Sequence, residues 1–176
     1  MNVKIIRHPT QEDWDRAKYL ALNTAGKRMV SQASEDWKKS LLKCEHSPIR
    51  TLMFTIEMTL PYYSSVHFVR HKFGVEHYVT SQRNDRQDKY DRRKAPQDAE
   101  VVHIMDINVA ELINMAHFRL CSQADETTWK VMQTIVDKVC EVCPEMEGVL
   151  VPRCEYLGRC PEMFSCGRYQ ENHEKD

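Results

Sequence analysis

No run of about 18 apolar residues occurs in this 176-residue chain, so no membrane-spanning helix is expected. The first residues, MNVKIIRHPTQEDWD, hold no apolar stretch of signal-peptide length and no small-residue cleavage pattern, which argues against a secretory leader. An excess of one charge is missing too. Lys and Arg number 25 and Asp and Glu 26, for a net charge of −1, so the molecule has no bulk attraction for nucleic acid or anionic membrane. Any anion site must be a local cluster. No internal repeat and no interdomain linker appears. With 41% hydrophobic and 29% charged residues, the composition is that of an ordinary globular chain. One domain spanning 1–176 is expected, ending in a Cys-rich tail from about residue 149. A cytoplasmic placement is expected, and the seven cysteines then read as thiols or metal ligands rather than disulfides.

VKII (3–6) reads as a short strand. Thr10 caps a helix from Gln11 to about Ala25, with Glu12 and Asp13 in its first turn. Ser34 opens a second helix, SEDWKKSLLKC, which carries Trp37, Leu41 and Leu42 at helical spacing. HSP (46–48) breaks it, because Pro48 disfavours a helical residue before it. LMFTIEMTL (52–60) alternates as a strand does. Pro61 then starts a helix, PYYSSVHFVRHK, that ends near Lys72 with Gly74 as its stop. AEVVHIMDI (99–107) is a strand, and Asn108 caps a helix through ELINMAHFRLC. A longer helix, ADETTWKVMQTIVDKVCEVC, ends at Pro144. The tail, VLVPRCEYLGRCPEMFSCG, is expected to be irregular. The pattern predicts an α+β fold, a small antiparallel or mixed sheet packed with several helices.

Chemistry concentrates in VRHKFGVEHYVTSQR (69–83), where Arg70, His71, Lys72, His77, Ser81 and Arg83 crowd into fifteen residues. A polar helix end favours cations by itself. An anion site is the other reading. The following SQRNDRQDKYDRRK (81–94) mixes both signs and has one large ring, Tyr90. It is therefore a solvated loop and a weak nucleic-acid signal.

RHK, eight residues and then SQR resembles the signature of flavin-dependent thymidylate synthases: Arg-His-Arg, seven or eight residues, Ser, and an Arg two further on. Three more stretches agree in order. HSP (46–48) resembles the family's His-x-Thr-Pro turn. NVAELINMAHFRLC resembles its Asn…Asn-x4-Arg helix through Asn108, Asn114 and Arg119. RRKAP (92–96) resembles an Arg four residues before a Pro. The resemblance spans roughly residues 20–145. It implies an α+β flavoprotein, usually a homotetramer with sites shared between subunits, that reductively methylates dUMP to dTMP. FAD would be the cofactor, with methylenetetrahydrofolate (a folate) as one-carbon donor and NADPH as reductant. No membrane or nucleic-acid partner is implied.

By the same resemblance, Ser81, Gln82, Arg83 and Arg92 are phosphate and nucleotide ligands. A nucleotide monophosphate suits a planar Arg that binds it bidentately. Arg70 and His67 contact substrate, His67 standing where the family often has Gln. Arg119 holds the pyrimidine ring and, with Ser81, forms the catalytic pair; a cation there can stabilise charge developing on the base. His46, Ser47, His71, Lys72, Asn108 and Asn114 line the flavin side. Two positions depart from the pattern beyond His67: Lys72 replaces the second Arg, and Val79 replaces a Glu. The long segment that usually separates the loop Arg from the Arg before the Pro is missing, since Arg83 and Arg92 are nine apart. A shallower pocket is expected.

Cys154, Cys160 and Cys166 recur every six residues, and Cys140-x2-Cys143 lies just before. Cys154, Cys160 and Cys166 with Cys140 or Cys143, or with a His such as His173, would make a metal set; buried thiols acting as small hydrophobes are the alternative. No metal ligand is assigned. Three functions are therefore in view: a flavin-dependent synthase, a pyrimidine-nucleotide-binding relative without flavin chemistry or acting on another nucleotide, and a nucleic-acid-binding or metal-stapled protein.

Overall fold

Every second residue of the strand Met53–Pro61 is buried: Phe54, Ile56, Met58 and Leu60 are at most 1% exposed. This strand, β2, is central. β1 (Asn2–Arg7) pairs antiparallel on one side of it and β4 (Glu100–Asn108) on the other. β3 (Val75–Val79) closes the far edge against β4, giving the order β1-β2-β4-β3. The computed structural model describes residues 2–83 and 91–168. Three side chains of β4, Val101, Met105 and Ile107, join those of β2 on one apolar face.

Helices cover that face. They are α1 (Gln11–Thr24), α2 (Glu35–Lys43), α3 (Tyr62–Phe68), α4 (Val109–Arg119), α5 (Glu126–Val142) and a short α6 (Arg153–Leu157). Leu112, Met115 and Ala116 of α4 and Val131, Met132, Ile135 and Val139 of α5 fill the core beneath them. The starts follow the sequence. Thr10 closes a reciprocal capping box with Asp13, and Ser34, Asn108 and Asp125 each accept a backbone N–H of their helix. The antiparallel α+β expectation holds, and no described helix is long and apolar enough to cross a membrane.

The structure corrects several expectations. Pro61 belongs to β2 and caps α3 rather than standing in its first turn. α3 stops at Phe68, not Lys72, so Arg70, His71 and Lys72 lie in the turn that follows. There the His71 side chain is held by a hydrogen bond to Glu111. VEHYV, for which no element was expected, is an edge strand. The Cys-rich tail is not wholly irregular, because Arg153–Leu157 is helical. HSP forms a short 3-10 turn over Ser47–Thr51.

Gly74 is a turn glycine, not a helix stop. Its φ is +76°, and its carbonyl accepts the Asn108 N–H at 2.8 Å. A Cβ built there would lie 2.2 Å from Asn108 Nδ2. Gly74→Ala therefore adds left-handed strain and displaces the α4 cap, about 2–3 kcal/mol together. A thermal melt should drop by about 5–10 °C. Gly26→Ala, with a similar φ of +65° but open space around it, should lose only the strain.

Candidate functional site

The turn after α3 meets α4 side by side, and the contact is polar. His71 is buried, and its Nδ1 lies 2.7 Å from Glu111 Oε1. Arg119 Nε–H donates to His71 Nε2 at 3.2 Å. Since guanidinium nitrogens only donate, His71 Nε2 must be the unprotonated nitrogen, and Nδ1–H then donates to the carboxylate. Glu111 also accepts the Asn114 amide on both oxygens, at 3.1 Å each. A buried carboxylate thus orients an imidazole, which orients an arginine. The terminal nitrogens of Arg119 make no hydrogen bond among the described residues.

Arg119 sits on a cleft of about 290 Å³ whose other charged walls are Arg70, Lys72 and Glu111. Three cations face one carboxylate that is already engaged, so the cleft favours an anion. Burial, then the charge of Arg70, lowers the Arg119 guanidinium from its ordinary value. His67, at the end of α3, is lowered by burial and then by Arg119 and Arg70, which favours its neutral form. Phe73 and Glu111 also line a wider cleft of about 520 Å³, together with Glu45, Arg50, Gly74 and Asn108. Glu45 is the only described non-glycine residue with positive φ, +46°. Beside it, His46 Nδ1 is buried without a hydrogen-bond partner.

A second chain of hydrogen bonds runs inward from the same turn. His77 Nε2 lies 2.9 Å from the His71 carbonyl, so it carries a proton and donates. In the neutral ring Nδ1 then accepts from His103 Nε2–H, also at 2.9 Å. His103 Nδ1 in turn accepts the Ser65 hydroxyl at 3.0 Å. His103 is fully buried on the core face of β4. Burial, then the neighbouring His77, lowers it from 6.5 to about 4.

That shift has a sign. The fold holds His103 neutral, while the unfolded chain takes up a proton at 6.5. The stability it contributes is whole above that value and drains away as pH falls toward about 4. Full loss is roughly 3 kcal/mol. Urea unfolding between pH 7 and pH 4 should show this decline, and His103→Gln should flatten it.

Of the expected site residues, His67, Arg70, His71, Lys72, Asn114 and Arg119 are brought together. Asn108 lines the wider cleft, but its Oδ1 caps α4 by accepting Glu111 N–H, so only its Nδ2 side is left for a ligand. His46 and Ser47 flank the turn beside that cleft. Ser81, Gln82 and Arg83 are not brought in. β3 runs from Val75, opposite Ile107, to Val79, opposite His103, and Thr80 N–H continues to the Val102 carbonyl. Six residues of extended chain, 75–80, separate Gly74 from Ser81, roughly 23 Å at strand rise. Within one chain the Ser81 loop and the arginine cleft sit at opposite ends of β3. The Arg92 side chain lies outside the described residues, as do 84–90 and His173. Glu111 and His103 were missed. Glu111 has a sequence signal, since it precedes Asn114 by three and Arg119 by eight on one helix face. His103 is one polar residue at an inward position of an apolar strand.

No protein-family model matches the sequence, and no curated protein matches it. The fold is nevertheless a known one, the α+β architecture of a nucleotide methylase. One solved structure that shows it is a UMP/dUMP methylase, PolB, from Streptomyces cacaoi, bound with 5-Br dUMP. The two superpose with a TM-score of 0.64 at 12% identity, over 84% of this chain and 93% of that one.

Proposed function

We propose that the chain methylates a pyrimidine nucleotide, converting dUMP to dTMP with FAD, methylenetetrahydrofolate and NADPH. The observation that carries this reading is the Glu111–His71–Arg119 arrangement on a cation-walled cleft. Its support is a fold shared with a protein described as a UMP/dUMP methylase.

The wider cleft suits a flavin. It offers the Phe73 ring, 85% exposed, for stacking, the Asn108 amide for a polar ring edge, and Arg50 for a phosphate. Arg50, Phe73 and Asn108 would hold the cofactor, with Ser47 and the unpartnered His46 Nδ1 close by. When bound, it supplies the reducing equivalents for methyl formation. The chain's own residues do the rest. Arg119 presents its terminal nitrogens to the pyrimidine, where negative charge develops as the ring is attacked or deprotonated. His71 and Glu111 fix its aim. Arg70 and neutral His67 contact the nucleotide, and Lys72 adds a point charge.

Ser81, Gln82 and Arg83 would bind phosphate from a second copy, since the cleft of their own chain lies at the other end of β3, and Arg92 would join them on the family resemblance. The functional unit is then a homo-oligomer, a tetramer on the family resemblance.

The purified protein should show flavin absorption, or gain it on adding FAD, and should oxidise NADPH faster with dUMP and the folate present. A second reading, a pyrimidine-nucleotide-binding relative without flavin chemistry, is favoured by Glu45 and Glu111 in the wider cleft, which oppose a pyrophosphate. It predicts thermal stabilisation by dUMP and none by FAD. A protein that neither takes up FAD nor responds to any pyrimidine monophosphate would sink both.

A further inference from the structure

The cysteine tail folds back onto the end of α4, and it does so where a fourth cysteine waits. α6 is laid against α4 by two contacts. The Tyr156 ring stacks on His117 at 4.7 Å, and the Arg153 guanidinium lies 5.6 Å from the Phe118 ring centre. Gly158, at φ +68°, then turns the chain back. Gln123 Nε2–H donates to the Phe164 carbonyl, and Arg168 pairs with Glu155 at 3.1 Å, so the following loop is held at its middle and at its far end. One small cavity results, about 10 Å³, room for a single water-sized sphere. Cys121, Cys154, Cys160 and Cys166 all line it, and so does His117.

Four thiols around a one-atom cavity are a poor hydrophobic core. A core thiol looks like Cys143, which is buried in the main apolar cluster and pushed up to about 12 by burial. It lies at the end of α5, and neither Cys143 nor Cys140 lines the tail cavity. Cys166 by contrast is exposed, and all seven cysteines are free thiols. His117 adds a second observation. Its Nε2 is buried with no hydrogen-bond partner, on the same cavity. With the proton on Nε2 this nitrogen lacks an acceptor, which a thiolate sulfur lining the same cavity would supply.

We propose that Cys121, Cys154, Cys160 and Cys166 bind one structural zinc ion as a tetrahedral tetrathiolate site. Thiolate sulfur is the ligand that selects such a soft or borderline cation, and four of them leave no open position for substrate. His117 Nε2–H then donates to one of the ligating sulfurs. As placed, no three His, Cys, Asp or Glu side chains among the described residues converge tightly enough to hold an ion. The thiols ring the cavity, so binding draws the 160–168 loop inward, a segment with no strand or helix ladder to break. Four protons leave as the sulfurs bind, and no redox change is involved. The site lies two residues beyond Arg119, so its staple fixes the end of α4 that faces the cleft. This inference does not depend on the substrate.

The test uses the full chain purified in reducing buffer without chelator. Elemental analysis should find about one zinc per chain, and a strong chelator should lower the melting temperature by about 5 °C or more. Cobalt(II) replacement should give sulfur-to-metal charge-transfer absorption and the intense visible bands of a tetrahedral ion. Cys160→Ser should lose the metal. Because Cys160 is buried and this variant can fail to fold, Cys166→Ser, at an exposed position, is the second arm and should weaken zinc at least about tenfold. Cys44→Ser, remote and exposed, should keep it. Zinc retained in both Cys160→Ser and Cys166→Ser would overturn the proposal. So would a chain that binds neither zinc nor cobalt, one that carries iron and sulfide instead, or disulfides among these four residues.

Discussion

Arg119→Ala should cut dUMP-dependent dTMP formation by about 100- to 1,000-fold, the loss typical when a preorganised charge-stabilising donor is removed. The reason is geometric. Arg119 is not a surface cation free to swing, because its Nε–H is spent on His71, which is itself set by Glu111. Only the terminal nitrogens remain for a ligand, and they project from a fixed base. Arg119→Lys keeps the charge but loses both the Nε–H donor and the planar fork, so activity should fall by about tenfold or more. Neither change touches the apolar core, and the melting temperature should stay within a few degrees. Glu111→Gln is the informative companion. It keeps the volume but weakens the hold on His71 Nδ1–H, and kcat should fall more than KM rises. Unchanged turnover in Arg119→Ala would remove this cleft from the reaction.

Mixing two dead variants should restore activity. Arg119→Ala spoils the cleft, and a Ser81→Ala/Arg83→Ala double variant spoils the loop at the other end of β3. If a site takes its cleft from one copy and its loop from another, half the clefts and half the loops in an equal mixture are intact. Random assembly then leaves about a quarter of the sites whole. Activity in the mixture should approach that fraction after subunits are exchanged by mild denaturation and refolding. Recovery no greater than the sum of the two variants would place cleft and loop in the same chain, and the separation along β3 would need another explanation.

The sheet and the helix starts were legible because they are local. Alternation over 52–60 and 99–107 writes β2 and β4 directly, and Thr10, Ser34 and Asn108 announce their helices by the chemistry of the cap. β3 was not legible. It is five residues long, and only Val75, of its five, is fully buried; its pairing with β4 decides it. The end of α3 was overdrawn, and the hydrogen bond that holds His71 in the turn comes from Glu111, forty positions away. The site follows the same rule. RHK and SQR stand close in sequence, yet an extended strand sets them apart, while Arg119 joins His71 across 48 positions. Cys121 lies 33 residues from Cys154, and only the docking of α6 on α4 brings it to the tail.

The Ser65–His103–His77 chain has a direction, and direction makes it an electrostatic element. Every donor in it points the same way, from the Ser65 hydroxyl toward the His71 carbonyl. The peptide group joining His71 to Lys72 continues the alignment, with its oxygen receiving the chain and its N–H leading away. Stacked dipoles of this kind add as they do along a helix, and they sit in a low-dielectric core where little screens them. The chain of donors ends at the turn that carries Lys72, a residue lining the cleft. The summed dipole of the Ser65–His103–His77 chain is thereby directed at the turn from which Arg70, His71 and Lys72 reach the cleft.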